Sequence, residues 1–222
     1  MVLSVAYASQ DEEYSSFFSQ LDENMKNSLH AEGEIENYAS GELIIPAGEV
    51  SGKLYVLLEG IAKVSRHEQK KHLTLAVLRS GDMFGELSMI NGQPTSADIV
   101  AMDGCVVLAI RRSKIYALMQ SSPAFMNLFL ETLSHRTRQV IENVCAMALE
   151  DVYGRLKRTL IMLANNNGTR RQIEGVTHAE LAEMVGASRE MVSIILKELK
   201  MGDYIRVDGR VITLLKDFPE KR

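Results

Sequence analysis

The chain has 222 residues, of which 46% are hydrophobic and 24% are charged, and its formal net charge is −4. This length allows one large or two ordinary globular domains. No apolar run approaches the length of a membrane span, and the first ten residues lack the basic segment of a signal peptide. Two cysteines, Cys105 and Cys145, do not make a disulfide framework, so we expect a cytoplasmic protein with no membrane partner.

The charge is unevenly distributed along the chain. Residues 150–222 contain 13 Lys and Arg against 11 Asp and Glu, whereas residues 1–149 contain 12 against 18. The C-terminal part is therefore only weakly basic. If it binds nucleic acid, it must do so through a few placed contacts, doubled by dimerisation, rather than through a large cationic surface.

The first half of the chain changes character near residue 41. Residues 14–39 are interpreted as helical, with Phe17, Phe18 and Leu21 clustered. From residue 41 to about residue 111, short apolar runs are interrupted by Gly and Pro roughly every ten residues. This spacing predicts an all-β sandwich or barrel, with residues 66–71 forming a solvated hairpin tip.

A long helix is predicted from Pro123 to about Leu149. Its apolar residues follow a 4-3-4-3 spacing over three heptads, which is typical of a coiled coil. We call this set the apolar seam: Met126, Leu130, Leu133, Thr137, Val140, Val144 and Met147. A helix packed only on its own β-domain is the alternative, and Phe125, Phe129 and Ile141 supply part of the broader stripe that it needs. We favour a dimer helix that also touches the barrel, with a hinge near Glu150.

The last third of the chain has the pattern of a winged helix. A helix over 152–165 and a short extended segment over 170–174 precede two helices joined by a tight turn. Thr177 and Glu180 have the spacing of a capping box, Gly186 ends the first helix, and Ser188 caps the second. Two β-prone runs around Asp208-Gly209 predict a hairpin with those two residues as its turn.

The second of the two helices has one apolar and one polar face. Val192, Ile195, Leu196 and Leu199 repeat at helical spacing and should be buried. The opposite face carries Arg189, Glu190, Ser193, Ile194 and Lys197. A helix-turn-helix places the start of its second helix in the major groove, where Arg can bond guanine and Glu can accept from cytosine. A helical hairpin in some other domain is the alternative, but the following β-hairpin favours a winged helix.

Four stretches in this order resemble the cAMP receptor protein/FNR transcription regulators. They are L-Y-V-L-L-E-G-I-A-K-V at 54–64, G-D-M-F-G-E-L at 81–87, D-V-Y-G-R-L at 151–156 and V-G-A-S-R-E-M-V at 185–192. The resemblance implies an α+β fold. It consists of a cyclic-nucleotide-binding-type β-roll (a jelly roll) over 1–122, a coiled-coil dimerisation helix over 123–149 and a winged helix-turn-helix over 150–222.

The resemblance also implies a function and its partners. It implies a homodimer that binds a near-palindromic site on double-stranded DNA through residues 188–200, with RNA polymerase as a further partner, acting as an activator or a repressor. Arg189 and Glu190 match the family's two base-reading positions. Ile194 stands where cAMP receptor proteins have a second Arg, and Ser193 resembles the FNR branch. With Lys197 and the capping residues Thr177 and Ser188, these form the expected DNA-binding set.

A small effector in the β-roll is the second implication of the resemblance. In the family, residues 85–97 match the phosphate-binding cassette, and Gly85, Glu86, Ser96 and Ala97 agree with it, with Leu87 beside them. Thr95 replaces the Arg that neutralises the phosphate, and Val140 and Ile141 replace the Thr-Ser pair that meets the purine. We therefore do not expect cAMP as the effector, because a buried phosphate without a cation is unfavourable. A different ligand, or no ligand, is expected instead, and Glu86 alternatively caps backbone N–H groups.

Other kinds of sensor and function find little support in the sequence. An iron–sulfur cluster needs about four thiolates, the five histidines are scattered, and both cysteines are interpreted as small buried hydrophobic residues. We therefore expect no haem, cluster or metal, with a thiol switch as the open alternative. No catalytic motif is recognisable, so an enzyme is not expected. The remaining rivals are a ligand-independent regulator and a scaffold whose winged helix binds protein.

Overall fold

The computed structural model describes residues 16–68, 71–167 and 170–219. The helices are α1 Glu23–Glu32, α2 Glu86–Asn91, α3 Arg112–Ser121, α4 Pro123–Leu149, α5 Val152–Leu163, α6 His178–Val185 and α7 Arg189–Met201. The strands are β1 Gly33–Tyr38, β2 Leu43–Ile45, β3 Lys53–Glu59, β4 Ala62–Glu68, β5 Lys71–Leu78, β6 Met83–Phe84, β7 Asp98–Ala101, β8 Cys105–Arg111, β9 Asn165–Asn167, β10 Arg170–Glu174, β11 Ile205–Asp208 and β12 Val211–Leu214. Internal contacts divide the chain into two compact units, one made mainly of residues before 139 and the other mainly of residues 139–219.

The N-terminal unit is built on two four-stranded antiparallel sheets, as the β-roll prediction requires. One has the strand order β1-β8-β3-β6 and the other β2-β7-β4-β5. Their facing residues form an apolar core that includes Leu57, Phe84 and Val107, all at most 2% exposed. The predicted hairpin tip over 66–71 was drawn too wide, because β4 continues to Glu68 and β5 begins at Lys71. Its central residues 69 and 70 lie outside the described residues.

The helical interpretation of residues 14–39 holds only for α1, Glu23–Glu32, because residues 17–20 form a turn ahead of that helix and the last third of the stretch is a strand. Residues 33–38 form strand β1, which pairs with β8 from Gly33 opposite Ile110 to Tyr38 opposite Cys105. The chain leaves α1 because Gly33 has an extended backbone, and its missing side chain leaves room for Leu108, whose Cδ1 would lie 2.5 Å from a Cβ there. Pairing with β8 overrides a weak helical periodicity. Residues 14 and 15 lie outside the described residues.

The predicted long helix is confirmed as α4, Pro123–Leu149. Its N-terminal part packs on the β-roll. Phe125 and Phe129 are at most 1% exposed and meet Phe17 edge-on, with ring centroids 5.9 and 6.3 Å apart. Met83 and Leu108 belong to the same buried cluster. The expected contact between the long helix and the barrel is therefore present at the N-terminal end of α4. Among the described residues, no helix is long and apolar enough to cross a membrane.

The C-terminal unit has the winged-helix arrangement, with two local corrections. Its sheet has the order β11-β12-β10-β9. Helix α5 ends at Leu163 instead of Asn165, because Asn165–Asn167 form β9 and pair with β10. The hairpin turn is also displaced by one residue: Asp208 pairs with Val211, so the two loop residues are Gly209 and Arg210. Gly209 occupies the first loop position with φ 62°, a left-handed conformation that residues with a side chain rarely adopt.

Arg155 on α5 ties three parts of the C-terminal unit together. Its Nε donates to the Val185 carbonyl at the end of α6 (2.9 Å), and its Nη1 donates to the Glu150 carbonyl just after α4 (2.7 Å). Arg158 reaches the Glu150 carboxylate at 2.8 Å. The guanidinium thus satisfies carbonyls that the ends of two helices leave without partners.

Replacing Arg155 should destabilise the C-terminal unit. We expect Arg155→Ala to lower the free energy of unfolding by about 1.5–3 kcal/mol, because two charge-assisted hydrogen bonds are lost and two carbonyls lose their partners. Urea unfolding monitored by circular dichroism measures this. Arg206→Ala is the matched control: it removes an exposed ion pair with Asp208 and should change stability by only about 0.5 kcal/mol. An equal loss of unfolding free energy in the two variants would contradict the bridging role of Arg155.

Candidate DNA-binding and effector sites

The two helices of the predicted helix-turn-helix form as the sequence indicated. Thr177 accepts from the backbone N–H of Glu180 at 3.2 Å, and the Glu180 carboxylate accepts from the backbone N–H of Thr177 at 2.8 Å, which completes the capping box. Gly186 ends α6 in the left-handed conformation. The Ser188 hydroxyl accepts from the backbone N–H of Met191 and starts α7. Both capping hydroxyls are therefore engaged in fixing the helix ends.

Helix α7 is divided lengthwise into a buried and an exposed face. Val192, Ile195, Leu196 and Leu199 are between 0% and 4% exposed, as the spacing predicted. Arg189, Glu190 and Lys197 are exposed, Ile194 is 48% exposed, and Ser193 lies half-buried at the border between the faces. The exposed face thus presents a cation, an anion and an apolar group from successive turns of one rigid helix.

Glu190 is held in its ionised form at the start of α7. Its own backbone N–H and the Ser188 hydroxyl bond the carboxylate, and the nearby Arg189 charge adds to their effect, so that the pKa of Glu190 lies below its ordinary value. The positive end of the helix dipole favours the same state. At neutral pH, Glu190 is a hydrogen-bond acceptor only.

A contact between α6 and α7 was not foreseen from the sequence. The Nδ1 atom of His178 lies 2.9 Å from the Ser193 Oγ. His178 is the first residue of α6, and the sequence interpretation placed it only among five scattered histidines. Because the two residues are 15 positions apart, only the relative placement of the two helices reveals the pair.

Helix α4 leaves several apolar side chains along its length uncovered. Leu130, Val140 and Val144 of the apolar seam are 55%, 52% and 46% exposed, and the adjacent Ile141 is 58% exposed. Half-exposed branched side chains recurring on one helix are unfavourable in water unless another surface covers them.

The cassette residues form the loop and short helix α2 that the resemblance implied. Gly85 adopts φ 78° at the start of α2. A Cβ there would lie 2.8 Å from the Tyr55 ring, so only Gly fits. Glu86 is buried, whereas Leu87 is 60% exposed.

Glu86 is paired with a cation that the sequence interpretation did not identify. Arg136 Nη1 lies 2.9 Å from Glu86 Oε1, and Nη2 of the same guanidinium donates to the Met83 carbonyl. The side chains are 27% and 10% exposed for Arg136 and Glu86, respectively. The structure therefore shows an ion pair between α4 and α2 at Glu86.

The remaining cassette residues are engaged locally or point to solvent. The Thr95 hydroxyl donates to the Pro46 carbonyl at 2.7 Å, and its backbone N–H donates to the Glu49 carbonyl at 2.8 Å. Ser96 is exposed and Ala97 is 6% exposed. Thr95 thus closes a loop instead of presenting a charge.

The described histidines and cysteines occupy separate environments. His30 packs edge-on against Phe18 at 5.6 Å. Cys105 is buried, and burial raises the pKa of its thiol. Cys145 is exposed on α4, which corrects the expectation that both cysteines are buried; it lies between the half-exposed Val144 and the buried Ala146. Within the described ranges, no group of three or more His, Cys, Asp or Glu has the geometry to hold a metal ion.

Removing Arg136 should destabilise the N-terminal unit. In Arg136→Met, the Glu86 carboxylate stays buried without a cation. We therefore expect the free energy of unfolding to fall by about 2–4 kcal/mol. Combining it with Glu86→Gln removes the unpaired charge and should recover part of that loss. Thermal unfolding of the two variants measures both effects; a double variant less stable than Arg136→Met would contradict the assigned pairing.

Two protein families match consecutive parts of the chain. The cyclic nucleotide-binding domain family matches residues 35–122, which contain the β-roll and cassette. The Crp-like helix-turn-helix domain family matches residues 154–217, which contain α6, α7 and the wing.

Whole-length relatives carry both parts in the same order. The cAMP-activated global transcriptional regulator CRP of Pasteurella multocida is 33% identical over 186 residues, covering 81% of this chain and 89% of the relative. The c-di-GMP responsive global regulator CLP of Xanthomonas campestris has the same fold, with a TM-score of 0.77, 24% identity and coverage of 88% of this chain and 100% of that chain. A mutant of CooA from Carboxydothermus hydrogenoformans gives a TM-score of 0.72 at 23% identity, over 92% of this chain and 88% of that chain. The chain belongs to the CRP/FNR family of transcription regulators, with a cyclic-nucleotide-binding-type sensor domain and a Crp-like DNA-binding domain.

Proposed function

We propose that the protein acts as a homodimer that reads a near-palindromic DNA site through two copies of α7. The proposal rests on the two faces of α7, one buried and one exposed. Its apolar residues are buried in the winged helix, while Arg189, Glu190 and Lys197 are exposed on the other face. In such dimers the two recognition helices enter the major groove one helical turn of DNA apart.

The first turn of α7 carries the residues that we assign to base reading. Arg189 is suited to bond guanine O6 and N7, and Glu190, held ionised by its surroundings, is suited to accept from cytosine N4. Ser193 and Ile194 follow one turn later. Because Ile194 has no hydrogen-bonding group, it is suited to pack against a thymine methyl.

The remaining residues of the set are assigned to the DNA backbone. Lys197 lies on the same exposed side of α7 and is suited to a phosphate contact, which positions the protein but carries no sequence information. The capping hydroxyls of Thr177 and Ser188 keep the N-termini of α6 and α7 in place, and helix N-termini attract phosphate oxygens.

Dimerisation is supported by the uncovered side of α4. Leu130, Val140 and Val144 recur at heptad spacing and are each about half exposed. A second copy of the helix would cover them in a two-stranded coiled coil. The relatives are transcription regulators, so we infer that the dimer acts in the cytoplasm, by binding instead of catalysis, with RNA polymerase as its further partner. We also propose that the domain boundaries lie between residues 122 and 123 and between residues 149 and 150.

We further propose that the effector, if the protein has one, is not cAMP. The relative from Pasteurella multocida is cAMP-activated, but here the cassette has Thr95 in place of a cation, and its hydroxyl is bonded to Pro46. Arg136 is already paired with Glu86, so an incoming phosphate must compete with a carboxylate.

Base preference provides the test of the DNA-reading residues. Arg189→Ala should lose about 1–3 kcal/mol for the preferred site and relax preference at one base pair of each half-site. Ile194→Ala should relax preference at a different base pair and weaken binding less. Binding-site selection with each variant measures both. A wild-type selection that returned the unmodified cAMP receptor consensus would contradict the role of Ile194.

A salt titration separates the DNA-binding proposal from the protein scaffold alternative. If the winged helix binds DNA through phosphate contacts, the logarithm of the binding constant must fall steeply and linearly with the logarithm of salt concentration. Fluorescence anisotropy with the selected duplex measures the slope. A weak salt dependence, with Lys197→Ala leaving the slope unchanged, would favour a protein-binding scaffold.

Calorimetry tests the effector proposal. Titrating the purified protein with cAMP, cGMP and cyclic di-GMP should give no heat of binding for cAMP at micromolar concentration. Thr95→Arg is the informative variant, because it restores a cation where the family has one and should strengthen any binding of a cyclic phosphate. Micromolar cAMP binding by the unmodified protein would overturn the proposal.

A further inference from the structure

The bond between His178 and Ser193 joins α6 to the face of α7 that we assign to DNA. Nδ1 of His178 and Oγ of Ser193 are 2.9 Å apart, and both side chains are half-buried. Within the described residues, neither side chain makes another hydrogen bond. The position of the Ser193 hydroxyl is therefore determined by a side chain from the neighbouring helix.

Other hydroxyls inside the helices of this protein behave differently. Thr132, Thr137 and Thr159 each donate to the carbonyl four residues earlier, at 2.8–2.9 Å, which is the usual local bond of a helical Ser or Thr. Such a bond turns the hydroxyl back toward its own backbone. Ser193 instead bonds the imidazole, so its hydroxyl is held away from the backbone of α7.

A serine hydroxyl has one proton and two lone pairs, so its first bond decides what it can offer a second partner. When His178 Nδ1 carries a hydrogen, it donates to Oγ and leaves the Ser193 proton for a base acceptor. When Nδ1 carries none, the Ser193 hydroxyl donates its hydrogen bond to the imidazole and presents lone pairs to a base amino group. The histidine thus fixes the place of the next hydrogen bond, and its tautomer decides the direction.

We propose that His178 is a positioning residue for base reading, which sets the base preference of Ser193 without itself contacting a base. The inference rests on the proposed role of Ser193 in DNA recognition. The base preference of α7 then depends on a residue of α6 as well, and Ser193 and His178 act together.

The test is a double-mutant cycle read out as base preference. Full-length wild type, Ser193→Ala, His178→Ala and the double variant are titrated against duplexes in which each base pair of the half-site is changed in turn. Ser193→Ala should reduce discrimination at one base pair by about 2- to 10-fold, the equivalent of one net hydrogen bond. His178→Ala should reduce it at the same base pair by a similar factor, and the double variant should show no further loss.

Two further variants separate positioning from helix stability. His178→Asn places an amide near the position of Nδ1 and should retain discrimination to within about twofold of wild type. Glu180→Ala removes the capping-box partner of Thr177 and should lower thermal stability while the pattern of base preference stays unchanged. If His178→Ala acted only by destabilising α6, it would behave like Glu180→Ala: thermal stability would fall and the pattern of base preference would stay unchanged.

Three results for His178→Ala would overturn the proposal. The first is an equal loss of affinity for all duplexes, which is the behaviour of a phosphate contact. The second is an effect at a different base pair, and the third is a loss that adds to the loss of Ser193→Ala. If Ser193→Ala left every preference unchanged, the base-reading role of Ser193 would fail together with this inference, whereas the Arg189→Ala selection would still report on DNA reading by α7.

Discussion

The burial of one side of α7 is the interaction on which the DNA-binding unit depends. Val192, Ile195, Leu196 and Leu199 pack at 0–4% exposure, and each contributes about 1.5–3 kcal/mol of transfer free energy. Because that side is fixed, the direction of every side chain on the opposite side is fixed as well. A recognition helix needs this rigidity, since a hydrogen bond to a base edge tolerates little displacement.

The contacts around α7 extend this constraint to its neighbours. Arg155 bonds the carbonyls of Glu150 and Val185, so the segment that follows the long helix and the first helix of the DNA-binding motif are held by one guanidinium. His178 then holds Ser193 from the start of α6. Helices α5, α6 and α7 are thereby joined by polar contacts, and those of Arg155 meet carbonyls near helix ends, where backbone groups otherwise lack partners.

In the N-terminal unit, the cassette combines a glycine in the left-handed conformation with a charge that is balanced within the protein. Gly85 retains the left-handed conformation that brings the cassette against Tyr55. Charge, in contrast, is balanced inside the protein: Arg136 neutralises Glu86, and Thr95 serves a loop contact. A buried pair with zero net charge offers a phosphate little attraction, because the cation already has a partner.

The sequence predicted the elements whose signals are local. The capping box, the Gly186 stop and the two faces of α7 follow from residues a few positions apart, and all are found in the structure. Strand β1 was missed because its partner β8 lies about 70 residues away. The Glu86–Arg136 and His178–Ser193 pairs were missed for the same reason: tertiary contacts have no signature in residue spacing. The hairpin turn was placed one residue early because Asp-Gly and Gly-Arg are both compatible with a two-residue loop.

In the proposed dimer, the long helix holds two copies of α7 at a fixed separation. Binding to duplexes that carry two identical half-sites with their centres a variable distance apart tests it most directly. A rigid dimer should bind tightest when the centres are about one helical turn of DNA apart, and inserting about five base pairs should remove nearly all of the gain from the second half-site. Equal affinity at both spacings, or a single-copy complex on a two-half-site duplex, would contradict the account.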